Sequence, residues 1–558
     1  INASTLITGP KLTIDAGAGN DTINGSQGAD TILAGAGNDR VFGDNGNDIA
    51  FLGAGNDTFT WAPGDGSDTI EGEAGIDTMD FDGSGASESI TISANGQRVN
   101  FFRDVANVTM DMDGVERMVF DALGGADNVV VNDLTGTAAD EVVVNLGSAQ
   151  GSTTGDAAAD SVSVRGGAAA ETIRVVNGGG GSVLTTGLAA DVRVTGAELA
   201  NDKLDVRAGA GNDTLDASGT SSRIQLSLFA EAGDDRVIGS AGADFINGGL
   251  GTDNVSMGGG NDRFQWNPGE GSDVIDGQRG FDTHEFNGSG ADEIITLAAG
   301  GNDALLTRNV GNIVMNQDNV ERVEILGGNG RDTINIGELR GTDVREVVVN
   351  LALTADATAG DDLNDTVNVS GGSRSEVLTV TASGDDIIVS GLANQMRVAN
   401  TDVSDTVVVQ GGAGSDVLNA ASISATGARV DLDGGSGDDV LIAGANDTRL
   451  LGGAGDDVLV GNIGDDQLNA GTGDDILFGG AGNDLFSGED DFTVIDFRAG
   501  AGTDDRLDLR NVAGIDDFGD VLASARGGSS GVVLDFGDDE ITLLGVNAAQ
   551  LHADDFLI

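Results

Sequence analysis

Asp21, Asp30, Asp39, Asp48 and Asp57 stand nine residues apart, and each follows a glycine two positions earlier, at Gly19, Gly28, Gly37, Gly46 and Gly55. A short carboxylate repeated behind a tight turn has the chemistry of a ligand for a hard cation, because both the side chain and the turn carbonyls offer oxygen. The unit reads G-G-x-G-x-D-x-U-x, where U is a large apolar residue. A two-residue slip at Trp61 extends the first series to Asp68 and Asp77. A second series holds Asp213, Asp235, Asp244, Asp253 and Asp262, then Asp273 and Asp282 after a like slip at Trp266. The third holds Asp416, Asp439, Asp457, Asp466, Asp475 and Asp484.

In the unit Gly35–Phe42, glycine and Asn tolerate positive φ, so its first part turns and its last three residues extend with Val41 inward. Two units then make one coil, and turns n and n+2 stack about 4.8 Å apart. Asp21 comes to lie over Asp39 over Asp57, and Asp30 over Asp48. Carboxylates stacked this closely repel unless a cation lies between them. Ca2+, taking six to eight oxygens at about 2.3–2.6 Å, suits them better than Mg2+, which resists losing its waters. The absence of Cys and the presence of only His284 and His552 leave nothing for Zn2+. Asx turns alone would explain one such Asp, but not a series in phase. All these Asp residues are therefore expected to be metal ligands, and the cofactor multiple Ca2+.

The elements that position them repeat on a longer scale. "WAPGDGSDTIEGEAGIDTMDFDGSGASESITI" from Trp61 returns as "WNPGEGSDVIDGQRGFDTHEFNGSGADEIITL" from Trp266. Val115-Glu116-Arg117 matches Val320-Glu321-Arg322, and Glu141–Asn145 matches Glu346–Asn350. Between the nonad series lie short alternating runs, each led by an acidic residue: Asp127, Glu141, Asp160 and Glu171, then Asp332, Asp365, Glu376 and Asp405. Such β-branched runs read as strands, and they suit the rungs of an all-β solenoid or, as the competing arrangement, a pair of β-sandwiches. A helical turn is expected only near Asp516–Ala525. The plan is a nonad block over 1–80, a β-rich segment over 81–207, a second block over 208–285 and a second β-rich copy over 286–410. A third block follows over 411–488, then a distinct tail over 489–558.

Lys+Arg 27 against Asp+Glu 92 gives a net charge of −65 over 558 residues. That field repels nucleic acid and anionic membrane surfaces, so neither nucleic-acid binding nor membrane insertion is expected, and cations are the natural partners. Acidity with few aromatics can also signal disorder, but a hydrophobic content of 39% in regular short runs opposes it. No stretch approaches the ~18 apolar residues of a membrane span. The start, INASTLITGP, has no initiator Met and no signal-peptide pattern, so a longer precursor is expected.

Catalysis finds little to use. His284–Gly288 reads HEFNG rather than H-E-x-x-H, no G-x-S-x-G sits between a strand and a helix, and Tyr is absent. Carboxylates are too numerous for any pair to be singled out. A polysaccharide lyase would need a cationic or His/Tyr-bearing groove, yet Lys11 and Lys203 are the only lysines. No enzyme activity and no catalytic residue are expected. Trp61 and Trp266 each precede an x-Pro-Gly, which suits a carbohydrate platform or, the reading we prefer, a stacking plug where the coil lengthens. A cell-surface polysaccharide stays among the expected partners.

The phased nonads resemble the RTX (repeats-in-toxin, haemolysin-type) calcium-binding family. The resemblance implies a parallel β-roll with Ca2+ held between successive turns by the Asp carboxylates and main-chain carbonyls. Ala50 and His284 depart from it at apolar positions, and Thr448 replaces the ligand Asp in AGANDTRLL. The tail, from FTVIDFRAGAGTDDRLDL to LHADDFLI, resembles the C-terminal cap and secretion region of RTX proteins exported by type I systems of Gram-negative bacteria. That implies an extracellular or cell-surface location, with Leu534, Phe536, Ile541 and Leu543 covering the last rung. The expected role is a secreted calcium-binding structural protein of surface-layer, matrix or fibre type that self-associates. The alternative is the calcium-binding and secretion portion of a larger toxin, adhesin or hydrolase.

Overall fold

The computed structural model describes residues 1–6, 11–221, 223–424, 427–502, 505–528, 530–537 and 539–558, and the chain divides into two compact units, Ile1–Asp282 and Thr283–Ile558. In the first unit, strands Thr13–Asp15, Thr31–Ala36, Ile49–Ala54 and Thr69–Ala74 pair in parallel, in that order. Facing them are Thr22–Asn24, Arg40–Phe42, Thr58–Trp61 and Thr78–Asp82, again all parallel. Each coil thus gives one strand to each sheet. Register places Ile14, Ile32, Ala50 and Ile70 in one interior column, and Ile23, Val41, Phe59 and Met79 in the other. All eight are buried. The parallel, in-register pairing makes this a β-roll rather than a pair of sandwiches.

The Trp slips lengthen the coil. Trp61 is buried, stacks on Phe81 at 4.0 Å between ring centroids and donates from Nε1 to the Gly66 carbonyl at 2.8 Å. Trp266 is likewise buried and donates to the Gly271 carbonyl at 2.7 Å. Both indoles are core residues, which removes the carbohydrate-platform reading. His284 fills an apolar position fully buried, its Nδ1 2.9 Å from Gln317 Oε1, and burial pushes its pKa down to about 4. It is therefore a neutral core residue.

The β-rich segments keep the two-sheet plan on longer coils, interrupted by antiparallel meanders that the alternating runs did not reveal. Asn128–Val131, Ser161–Arg165 and Lys203–Arg207 stack in parallel. Ser89–Asn95, Arg98–Arg103 and Val108–Asp113 instead form an antiparallel meander, as do Thr172–Asn177, Val183–Thr186 and Asp191–Thr195. The second unit repeats both, with Ile294–Gly300, Asp303–Arg308 and Ile313–Asp318, and with Val377–Ser383, Asp386–Ser390 and Gln395–Ala399.

In the third block, Val417–Asn419, Val440–Ile442, Val458–Val460 and Asp475–Phe478 form one parallel column. The tail closes it: Glu540–Leu544 pairs in parallel with Phe492–Val494 on one side and antiparallel with Gly531–Asp535 on the other. Leu534, Ile541 and Leu543 are buried there, and Phe536 is half-buried. Phe518–Ser524 is the one α-helix among the described residues, started by the Asp517 carboxylate accepting the Gly519 and Asp520 amides. No helix among the described residues is long and apolar enough to cross a membrane.

Candidate metal centre

Along the ladders one oxygen of the repeat carboxylate accepts an amide from the preceding coil. The Asp21 amide donates to Asp39 Oδ1 at 2.8 Å, the Asp39 amide to Asp57 Oδ1 at 2.6 Å, and the Asp57 amide to Asp77 Oδ1 at 2.9 Å. On the other edge the Asp30 amide reaches Asp48 Oδ1 at 2.6 Å and the Asp48 amide Asp68 Oδ1 at 2.8 Å. The same rungs join Asp213, Asp235, Asp253 and Asp273, and separately Asp244, Asp262 and Asp282. In the second unit they join Asp416, Asp439, Asp457 and Asp475, and separately Thr448, Asp466 and Asp484. All the predicted site residues therefore lie on such ladders.

The other oxygen is what a ligand would meet. Oδ2 is buried without a hydrogen-bond partner in Asp21, Asp39, Asp48, Asp57, Asp68, Asp77, Asp213, Asp235, Asp253, Asp262 and Asp273. The same holds for Asp416, Asp439, Asp457, Asp466, Asp475 and Asp484. A buried carboxylate oxygen with nothing donating to it costs several kcal/mol unless it is protonated or meets a cation. Space beside these oxygens exists because the residue five positions earlier is commonly glycine. A Cβ at Gly43 would lie 2.5 Å from Asp48 Oδ2, and one at Gly434, Gly452 or Gly479 2.4 Å from the Oδ2 of Asp439, Asp457 or Asp484. Among the described residues no three His, Cys, Asp or Glu side chains converge on one point. A bound ion would therefore draw on one or two carboxylates plus main-chain carbonyls, which is the donor set that suits Ca2+ and not a transition metal.

Burial, with neighbouring carboxylates adding to it, pushes these groups toward the protonated form. Asp48 and Asp262 rise to about 8, Asp68, Asp253, Asp273, Asp457 and Asp466 to about 7, and Asp77, Asp235, Asp439 and Asp484 to about 6. The amide donated to each Oδ1 opposes the rise but does not cancel it. A divalent cation against Oδ2 would reverse it by stabilising the carboxylate.

Two members differ. Asp30 Oδ2 accepts the Ser26 amide at 2.7 Å, and Asp244 Oδ2 accepts the Ser240 amide at 2.5 Å. In every other turn of the set the residue four before the Asp has a left-handed backbone, including the non-glycine Asp44, Glu73, Glu231, Gln278 and Asn462. That conformation costs a non-glycine residue about 1–2 kcal/mol. Ser26 and Ser240 are not left-handed, so their amides turn onto the carboxylates and satisfy them. The sequence signal was a serine in place of the usual turn residue. Thr448 shares the other departure: Gly444 is not left-handed, and the Thr448 hydroxyl donates to the Asn446 carbonyl at 3.0 Å.

Sequence reasoning also missed that the ladders run on through the β-rich segments. The Glu88 amide donates to Asp127 Oδ1 at 2.8 Å, Asp127 to Asp160 at 2.8 Å and Asp160 to Asp202 at 3.1 Å. Glu293, Asp332, Asp365 and Asp405 repeat this series. At Glu88 and Glu293 the charge is met from within: Arg103 and Arg308, both nearly fully buried, pair with them and also donate to Ser84 and Ser289.

The family model for the RTX calcium-binding nonapeptide repeat (4 copies) matches residues 13–41, 24–59, 64–82, 205–220, 229–264, 431–459, 451–486 and 460–494. The matches fall within the three stretches of coils whose carboxylates are described above, with Asp273, Asp282 and Asp416 lying outside them. Among solved structures, the extracellular lipase LipA from Serratia marcescens is similar at 18% identity over 61% of this chain and 45% of that chain, with a TM-score of 0.16. The match spans less than half of the lipase, and a likeness at that level carries no weight for activity. No curated protein matches the chain.

Proposed function

We propose that this chain, a parallel β-roll carrying RTX calcium-binding repeats, is a secreted structural protein of surface-layer, matrix or fibre type that folds and self-associates on Ca2+. The observation that carries the reading is the row of buried, unpartnered Oδ2 atoms along each ladder. In the absence of cations these oxygens and a net charge of −65 oppose the coil. Bound Ca2+ supplies positive charge between the turns, and its binding energy becomes folding energy. The chain's own residues prepare the place: glycines leave room, left-handed turns aim carbonyls, and along the ladders Oδ1 is fixed by the amide of the preceding coil.

Assembly follows from the same charge. Bare chains repel one another, whereas Ca2+ both neutralises their faces and can bridge carboxylates of two chains. Contacts of this head-to-tail kind need not close and then extend into filaments or sheets. Export through the 489–558 tail is part of the proposal. Light scattering and electron microscopy on the purified chain test it, with monomers expected in chelator and ordered assemblies at millimolar Ca2+. A chain that folds with Ca2+ yet stays monomeric at high concentration would instead favour a calcium-binding module of a larger secreted protein.

A further inference from the structure

Outside the matched repeats, two turns in the β-rich segments have the repeat geometry. Asp127 and Asp332 occupy equivalent places in the two copies of the duplication. The residue four before each is left-handed, Leu123 at φ 67° and Gly328 at φ 89°, and so is the glycine two before, Gly125 at 103° and Gly330 at 154°. Each Oδ1 accepts the amide of the preceding acid at 2.8 Å, from Glu88 and Glu293, and each amide donates 2.8 Å to the next, Asp160 and Asp365. Each residue is 2% exposed, and each Oδ2 is buried without a hydrogen-bond partner. The fit extends to the surroundings. A Cβ at Gly327 would stand 3.4 Å from Asp332 Oδ2, and the place of Gly327 is taken in the first copy by the small, buried Ala122.

A further carboxylate faces each turn from the next coil's excursion. Asp156 lies close enough to raise Asp127 and Asp160 electrostatically, and Asp361 does the same to Asp332 and Asp365. Asp156 Oδ1 accepts the Ala158 amide at 2.7 Å and Asp361 Oδ1 the Leu363 amide at 2.9 Å, so both are held in the same pose. Asp361 Oδ2 is itself buried without a partner. The charged groups acting most strongly on Asp127 and Asp332 are carboxylates. This contrasts with Glu88 and Glu293 one coil earlier, where a buried arginine supplies the positive charge.

We propose that Asp127 and Asp332 each hold a Ca2+ ion, with Asp156 and Asp361 as neighbouring carboxylates, so that the two β-rich segments are calcium-loaded as well as the repeat blocks. The inference goes beyond the repeat sites, since neither turn lies in a matched region. Its chemistry is that of a hard divalent cation on carboxylate and carbonyl oxygen. The Asp332 turn, Gly327-Gly328-Asn329-Gly330-Arg331-Asp332-Thr333-Ile334, meets the nonad pattern and stands alone in sequence. Asp127 departs from the pattern at Ala122 and Leu123, and the backbone geometry identifies it.

The test counts calcium on the full chain by equilibrium dialysis and atomic emission. The isosteric double variant D127N/D332N is expected to bind two fewer ions than the unsubstituted chain, and an unchanged count overturns the proposal. D457N, in the third repeat block, is run beside it. A loss in D457N alone sinks these two sites and leaves the repeat sites standing, whereas no loss in either variant sinks both. Should the double variant not fold, calcium-soaked crystals of the unsubstituted chain decide: anomalous peaks about 2.3–2.6 Å from the Asp127 and Asp332 carboxylates are expected, and bare carboxylates there overturn the proposal.

Discussion

The backbone amide of Ser240 lies 2.5 Å from Asp244 Oδ2, and Ser240 Oγ donates to Asp244 Oδ1 at 2.8 Å, so this carboxylate is satisfied by its own turn. Ser26 and Asp30 repeat the amide contact at 2.7 Å. Nine residues on from each, Asp39 and Asp253 have an Oδ2 with no hydrogen-bond partner among the described residues. D30N and D244N are therefore expected to leave the calcium count unchanged, while D39N and D253N each reduce it. S240G, by freeing the turn to become left-handed, is expected to add an ion. Calorimetric titration of the four Asn variants decides the point; an equal loss in all of them would break the link between turn backbone and occupancy.

Acidity should replace calcium in part. The repeat carboxylates with folded values of about 6 to 8 stand above the unfolded value of about 3.9. Groups shifted this way add stability that is fully present below the unfolded value and is lost as pH rises through the folded one. His284 runs the other way: its pKa falls from 6.5 to about 4, so its contribution is present above 6.5 and lost as pH drops through about 4. In chelator the β signal by circular dichroism is expected to grow as pH falls from 8 and to peak at about pH 4–6. With Ca2+ present the trend reverses, because protons compete for the same oxygens. A flat pH profile in chelator would contradict the buried-carboxylate account.

Asp466→Ala and Thr448→Ala should separate. Asp466 Oδ1 accepts the buried Thr448 amide at 2.8 Å, and its Oδ2 has no partner. Removing the side chain leaves that amide unsatisfied, at about 1–3 kcal/mol, and takes away a cation ligand. Thr448→Ala loses only a hydroxyl bond to the Asn446 carbonyl, worth about 1 kcal/mol. The calcium midpoint, followed by circular dichroism, should therefore rise for Asp466→Ala and stay put for Thr448→Ala. Equal midpoints would show that the ladder register is wrong.

Arg103→Met should be more damaging than a surface arginine change. Arg103 and Glu88 are 4% and 0% exposed, so the substitution strands a buried charge, at about 3–5 kcal/mol. The double variant R103M/E88Q removes both charges and should recover much of the loss. Urea unfolding in saturating Ca2+ measures each. Failure of the double variant to recover any stability would assign the effect to packing of Arg103 over Trp61, whose ring centroid lies 5.4 Å from the guanidinium carbon.

Removal of residues 489–558 should uncover the end of the third block. Phe492 and Val494 pair with Asp475 and Leu477 on one side and with Ile541 and Leu543 on the other. Leu477, covered by Val494, and Phe486, covered by Leu507, would then lose their cover; exposing each costs about 1.5–3 kcal/mol, and the bare strand edge invites aggregation. The truncated chain is expected to show weaker calcium-dependent folding of that block and to be retained by the producing cell. A truncated chain recovered from the medium would refute the secretion role, and unaltered stability would refute the cap.

How much of this was written in the chain follows from range. A carboxylate every ninth residue, a glycine before it and an apolar residue two after it are local facts. They determine a coil of two units, the inward column of Ile23, Val41 and Phe59, and a cation as the ligand of the turns. The lengthened coils at Trp61 and Trp266 were legible for the same reason. What tertiary structure decided is which carboxylate oxygens remain free. That depends on the backbone of the residue four positions earlier and on an amide in another coil, 18 residues away at Asp39 but 33 and 42 away at Asp160 and Asp202. The antiparallel meanders, the pairing of Arg103 with Glu88 and the geometry at Asp127 depend on the same long-range register. Asp244 and Asp253 share the spacing and the glycine two before, and differ four before, at Ser240 and Gly249; the fold shows that the Ser240 amide closes one carboxylate while the left-handed Gly249 leaves the other open to a cation.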